Sequence, residues 1–191
     1  MASNLTITKT EVDGCLVVEN GIFTDQRGAF FECWNRQQFI AAELPIEWPQ
    51  DNFSVSHIGV MRGLHIQRTN PQGKLVRCFR GSVLDICLDL RAESPTFLKW
   101  HCEILRGGKA LYLPPGTAHG FLAQEPESIV YYKCTTLYDG ASDGGVNWAD
   151  KSLDLHLLVT DLRIRSEKDK GLPSIAEWCA DPRGLTYGER V

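Results

Sequence analysis

The sequence has no long apolar run. Neither the N-terminal stretch Met1-Ala-Ser-Asn-Leu-Thr-Ile-Thr-Lys-Thr10 nor any later segment has the character of a signal peptide or the roughly 20 apolar residues of a membrane span. A cytoplasmic protein without membrane contact is the resulting expectation. An excess of positive charge is missing too. Lys and Arg number 20 against 24 Asp and Glu, a net charge of −4 at pH 7. That balance excludes a general binder of nucleic acid or anionic membrane, so any bound anion must be met by a local site. There is no C-x-x-C pair. The seven cysteines, at 15, 33, 78, 87, 102, 134 and 179, are odd in number and scattered. Reduced thiols packed as small apolar residues are therefore expected, not a disulfide framework or a zinc knuckle. Repeats, low-complexity tracts and Pro/Ser-rich linkers are absent, and 191 residues suit a single domain of about 100–200 residues.

Short strands dominate what is present. Ser82–Leu90 alternates with period two, placing Leu84, Ile86, Leu88 and Leu90 on one face and Val83, Asp85, Cys87 and Asp89 on the other. Further strands are expected at 15–23, 29–34, 52–58, 61–67, 74–79, 98–105, 110–113 and 129–135. Turn residues such as Asp25-Gln-Arg-Gly28, Asn70-Pro-Gln-Gly73 and Pro114-Pro-Gly116 separate most of them. Helical signal is confined to 36–43 and to the tail around 160–180. The pattern predicts an all-β jelly-roll barrel or sandwich with a few short accessory helices. Several of these strands carry polar groups able to converge on a pocket: Gln50, Asn52, Arg62, His65, Gln67, Lys74, His119, Tyr132 and Tyr138.

Three clusters could carry chemistry. Arg62-Gly-Leu-His65 is followed by Gln72-Gly-Lys-Leu-Val-Arg77, Pro114-Pro-Gly-Thr-Ala-His119 forms the second, and Tyr131-Tyr132-Lys133 with Tyr138 the third. Ser166-Glu-Lys-Asp169 lies further on. The second resembles the Pro-x-Gly-x-x-His block of the cupins, small jelly rolls that often hold a metal. Here the other block supplies one His, one Gln and a Lys, and His57, His101 and His156 stand in unrelated contexts. No three-ligand set can be assembled, so no metal is expected. The set suits proton transfer instead: a neutral His as base, a Lys ammonium for a developing enolate oxygen, and a Tyr hydroxyl as weak acid.

Across about residues 15–170, collinear blocks resemble the dTDP-4-dehydrorhamnose 3,5-epimerase family. They include Asp25-Gln-Arg-Gly-Ala-Phe-Phe-Glu32, Gln50-Asp-Asn-Phe-Ser54, Arg62-Gly-Leu-His65, Leu90-Arg-Ala-Glu-Ser-Pro-Thr-Phe97 and Trp148-Ala-Asp150. The resemblance implies a cupin-like, cofactor-free and metal-independent homodimer that inverts C3, C5 or both of a dTDP-4-keto-6-deoxyhexose. It implies His65 as base with Asp169 as its partner, Lys74 as the enolate site and Tyr132 as the acid on the opposite face. Gln50, Asn52, Arg62 and His119 would hold sugar and phosphate. Arg27, Phe30 and Glu32 would contact the nucleotide, partly from the neighbouring subunit, and Tyr138 would position it. No cofactor is needed, because the C4 ketone already acidifies the neighbouring protons.

Three features depart from the family pattern: a loop from His65 to Lys74 one residue short, Ile66 where an aromatic is usual, and an unmatched extension from about 171 to 191. Competing readings are a single-carbon epimerase, an epimerase of GDP- or CDP-linked sugars, a cupin sugar ketoisomerase and a non-catalytic sugar-binding module. From composition alone, Asp169 within Arg163–Lys170 is a solvated charged residue, and His119 could simply order the Pro-Pro-Gly turn.

Overall fold

The computed structural model describes residues 5–155, 158 and 164–181. In chain order the elements are β1 (Leu5–Lys9), β2 (Leu16–Asn20), β3 (Phe23–Asp25), β4 (Gly28–Phe30), α1 (Arg36–Ala41), β5 (Gln50–Ser56), β6 (Met61–Gln67) and β7 (Lys74–Arg80). They continue with β8 (Val83–Asp89), β9 (Trp100–Leu105), β10 (Lys109–Leu113), β11 (Thr117–Ala123), β12 (Ser128–Cys134), β13 (Asp143–Gly145), α2 (Glu167–Lys170) and α3 (Ile175–Ala180). The strands pair antiparallel into one sheet ordered β1-β2-β10-β7-β12-β5 and another ordered β13-β6-β11-β8-β9, with β3 and β4 as a separate ribbon.

Three apolar layers explain why the two sheets stay together. Between them, Val76, Leu111 and Val130 of the six-stranded sheet meet Cys87, Leu105 and Phe121 of the five-stranded one. Outside the six-stranded sheet, Val18, Leu75 and Ala110 are covered by Phe39 and Leu44, flanked by Trp34 and Trp48. Outside the five-stranded sheet, Leu64, Ile86, Leu88 and Leu122 are covered by Trp148, Leu155, Ile175 and Trp178. The fold is thus the expected cupin-like jelly roll, with both sheets buried on two faces over much of their area.

That double burial corrects part of the sequence reading. The alternation of β8 is real, yet its second face is not a solvent face: Asp85 and Asp89 are buried in the interior with Val83 and Cys87. Residues Thr117–Ala123, expected to be a turn presenting His119, form β11, buried at every position. Its polarity does not alternate, as is common where neither face meets water, so period-two reading misses this strand. Strands β1 and β13 were also not anticipated. The expected strand at 15–23 divides into β2 and β3, and that at 29–34 stops at Phe30. The helical signals resolve into α1, capped by Asn35, and into α2 and α3, capped by Ser166 and Ser174. Trp178 of the unmatched extension is 1% exposed in the outer core. All seven cysteines are free.

Candidate active site

Close backbone contact between β6 and β11 sets up the site. A Cβ on Gly63 would lie 2.5 Å from the His119 carbonyl oxygen, and one on Gly120 would lie 2.5 Å from that of Arg62. Only glycine allows this approach, and Gly63 also has φ of +105°. The register shifts here, and His65 and His119 become direct cross-strand partners, so both rings project from the same face. A cavity of about 460 Å³ opens before them. Its walls come from both sheets: Arg62, His65 and His119 on one side, Lys74 and Tyr132 on the other, and Asp169 on the segment that closes one flank.

Asp169 stands in the first turn of α2, where the Ser166 side chain accepts from its N–H. His65 Nε2–H donates to its Oδ1 over 2.5 Å. This bond fixes the tautomer, leaving the Nδ1 lone pair as the basic position. The His65 side chain is 30% exposed and that of Asp169 only 4%, so the ring reaches solvent-borne ligand while the carboxylate stays sheltered. Burial by itself would raise the Asp169 carboxyl. The His65 bond and charge, with the donors of Ser166 and Gly63, overcome this and hold it below the usual aspartate value.

His119 forms a second pair of different character. Its Nε2–H donates to Asp85 Oδ1 over 2.8 Å, and both residues are buried. Burial pushes the imidazole below the ordinary histidine value, against the pull of Asp85 and with the help of nearby Lys74 and His65. Burial likewise pushes Asp85 up, against His119 and Lys74. His119 is therefore held neutral, with its edge toward Tyr132 at a centroid distance of 6.1 Å. The Pro114 turn is ordered instead by Thr117, whose hydroxyl donates to the Pro114 carbonyl.

Lys74 faces Cys134 across the sheet, with its ammonium 5.8 Å from the Tyr132 ring. It has no hydrogen-bonding or salt-bridging partner among the described residues. Burial lowers it from the ordinary lysine value, opposed by Cys134, Asp143 and Asp85. A lowered ammonium is a stronger hydrogen-bond acid toward an oxyanion. Tyr132 is raised, chiefly by burial, and so remains a phenol. Tyr131 points to the outer face and donates to Asp51, as alternation along a strand requires.

Six of the twelve anticipated residues line this cavity: Arg62, His65, Lys74, His119, Tyr132 and Asp169. The other six do not line it within this chain. Gln50 joins Asn52 to the backbone N–H of Tyr138, and Asn52 donates to Cys134. The exposed Tyr138 donates to Asp143. Arg27 is an exposed partner of Asp25, Phe30 on the β3–β4 ribbon is 69% exposed, and Glu32 has a buried Oε1 without a hydrogen-bond partner among the described residues. Asp85, Arg165 and Lys168 were not anticipated. An acid on the interior face of apolar β8 is the signal that could have exposed Asp85; Arg165 and Lys168 were hidden in a charged stretch. His57 pairs with Glu127 at the surface and His101 with Glu11, while His156 lies outside the described residues. Among the described residues no three His, Cys, Asp or Glu side chains are grouped as a metal site, and no helix is long and apolar enough to cross a membrane.

A family model described as dTDP-4-dehydrorhamnose 3,5-epimerase matches residues 9–177. A dTDP-4-dehydrorhamnose 3,5-epimerase of Methanothermobacter thermautotrophicus is 43% identical over 173 residues, which is 88% of this chain and 94% of that protein. Among solved structures, dTDP-6-deoxy-D-glucose-3,5-epimerase from Legionella pneumophila in complex with dTDP-4-keto-L-rhamnose superposes with a TM-score of 0.85 at 33% identity, covering 90% of this chain and 93% of the other. A 3'-monoepimerase from Streptomyces bikiniensis in complex with dTDP-quinovose gives a TM-score of 0.80 at 30% identity, covering 86% and 85%.

Proposed function

The chain belongs to the dTDP-4-dehydrorhamnose 3,5-epimerase family, and from that premise we propose how its own residues perform the isomerase chemistry. It is a nucleotide-sugar epimerase acting on a dTDP-4-keto-6-deoxyhexose. The observation that carries the mechanism is the placement of His65 and Tyr132 on opposite sheets of one cavity. His65 Nδ1 removes the proton beside the C4 ketone, and Asp169 stabilises the imidazolium that results. The electron pair moves to the C4 oxygen, where the Lys74 ammonium meets it. Tyr132 delivers a proton to the other face of the same carbon, inverting it. Solvent exchange then returns one proton to the tyrosinate and takes one from the imidazolium, so the protein ends unchanged and needs no cofactor. Neutral His119, held by Asp85, and Arg62 at the mouth position sugar and phosphate.

The same reading makes the protein a cytoplasmic homodimer of single jelly-roll units. Phe53 and Val55 on edge strand β5, with Phe79, are 63%, 46% and 42% exposed and continuous with Phe31 and Tyr131. A second copy would cover that apolar face. Arg27, Phe30 and Glu32, outside the cavity of their own chain, would then serve the neighbour's nucleotide, and Gln50, Asn52 and Tyr138 the rim. The similarity to a 3'-monoepimerase supports a second reading, inversion at C3 alone. Incubation with dTDP-4-keto-6-deoxyglucose in D₂O, followed by NMR, separates the two. Deuterium at C3 and C5 is expected; deuterium at C3 alone selects the second reading, and none at either carbon would sink both.

A further inference from the structure

Among the side chains lining the cavity, four are cationic, Arg62, Lys74, Arg165 and Lys168, and one is a carboxylate, Asp169. The whole chain carries −4, so positive charge is concentrated where ligand enters. Three of these cations have a task or a neighbour already. Arg62 donates to Ser56 and to the Val55 carbonyl, Lys168 is paired with Asp143, and Lys74 lies at the enolate position. Arg165 differs. Its guanidinium lies 5.7 Å from the Trp148 ring, and its Nη1 is buried with no hydrogen-bond partner among the described residues.

The backbone beneath Arg165 is held from both sides. Ile164 forms a parallel bridge with Val60, its carbonyl accepts from Met61 at 3.0 Å and its N–H donates to Gly59 at 3.2 Å. The next residue, Ser166, caps the helix that carries Asp169. Arg165 is thus fixed beside the strand that bears Arg62 and His65, four residues from the partner of the base. An arginine so placed, with its guanidinium within cation–π reach of an indole and its Nη1 short of an acceptor, has the geometry and the need for an oxyanion.

Resting on the nucleotide-sugar reading, we propose that Arg165 is a diphosphate-binding and positioning residue. With Arg62 it grips the diphosphate and so holds the sugar ring over His65. Its role is in binding and registration, not in proton transfer.

The test compares wild type with Arg165→Met, which keeps an apolar contact with Trp148 but loses the charge, and Arg165→Lys, which keeps the charge but loses the planar fork. Calorimetric titrations with dTDP and with inorganic pyrophosphate are read beside the melting temperature and steady-state kinetics. Arg165→Met should weaken both ligands about tenfold or more, with Arg165→Lys intermediate. KM should rise while kcat stays within about threefold. A folded Arg165→Met variant that binds both ligands within twofold of wild type overturns the proposal. If that variant melts early, Arg165→Lys decides: several-fold weaker binding supports the proposal, and unchanged binding overturns it. Wild type that binds pyrophosphate through Arg165 but not dTDP would sink the nucleotide-sugar reading and leave Arg165 as a diphosphate contact. Wild type that binds neither would overturn both.

Discussion

Two histidines on adjacent strands of one cavity are each paired with an aspartate, and water separates their fates. His65 is part-exposed and bonded to an Asp169 that its histidine keeps ionised; His119 is buried on an Asp85 that burial pushes up. In the proposed mechanism, the same two side chains joined by the same kind of hydrogen bond thus give a base in one place and a fixed neutral hydrogen-bonding ring in the other. The difference lies in which surroundings can support an imidazolium during the reaction.

The comparison breaks first at the rings. His65→Asn should lower turnover about 10³–10⁴-fold, because the base itself is lost. His119→Asn should cost only about 10–10²-fold, since an amide still donates to Asp85. Equal losses measured under kcat conditions would erase the distinction.

An effect smaller than that at His65 follows at Lys74, which lies beside the Tyr132 ring and near Asp85. Lys74→Met should lose about 10²–10³ in rate through the missing oxyanion donor. Burial has lowered the lysine, and the ammonium is the active form. Wild-type activity should therefore fall with rising pH at a point below the ordinary lysine value of 10.5. In Lys74→Arg, any residual activity should persist beyond that point, as guanidinium does not titrate there. A pH–rate profile whose alkaline limb is the same in both proteins would deny Lys74 this role.

The smallest effect is on stability, and its sign differs between the pairs. Asp169 has a folded value below the ordinary 3.8. Its stabilisation is present above that value and is lost as pH falls through the folded one. Asp85 has a raised value, so its favourable contribution is present at acid pH and is lost as pH rises from about 3.8 through the folded value. Relative to Asp169→Asn, wild type should gain stability as pH rises toward 3.8. Relative to Asp85→Asn, it should lose stability above 3.8. Denaturant titrations in acid would read both changes.

Legibility in the sequence followed local pattern. The period-two alternation of 82–90 announced β8 although both its faces are covered, and the family resemblance picked out Tyr132 over Tyr131. Strand β11 did not stand out, because its run Thr-Ala-His-Gly-Phe-Leu-Ala shows no alternation of polar and apolar residues. His65, Lys74 and His119 stood out as unusual groups in apolar surroundings. Asp85 was legible as one member of an alternating face, but it is the six-stranded sheet, through Val76, Leu111 and Val130, that makes that face an interior. Asp169 and Arg165 sit in a charged segment whose composition suits solvent. Their service to the cavity depends on one bridge, Val60 to Ile164, which no local pattern encodes. Residues on the β3–β4 ribbon were legible only through the family, since within their own chain they do not line the cavity that holds His65.

The most direct test of the division between the two pairs is deuterium wash-in at the sugar carbons beside the ketone, followed by NMR in D₂O for His65→Asn and His119→Asn side by side. No deuterium above the uncatalysed rate is expected with His65→Asn, and slowed but complete wash-in with His119→Asn. Wash-in that survives in His65→Asn and vanishes in His119→Asn would place the base on the buried pair and contradict the account.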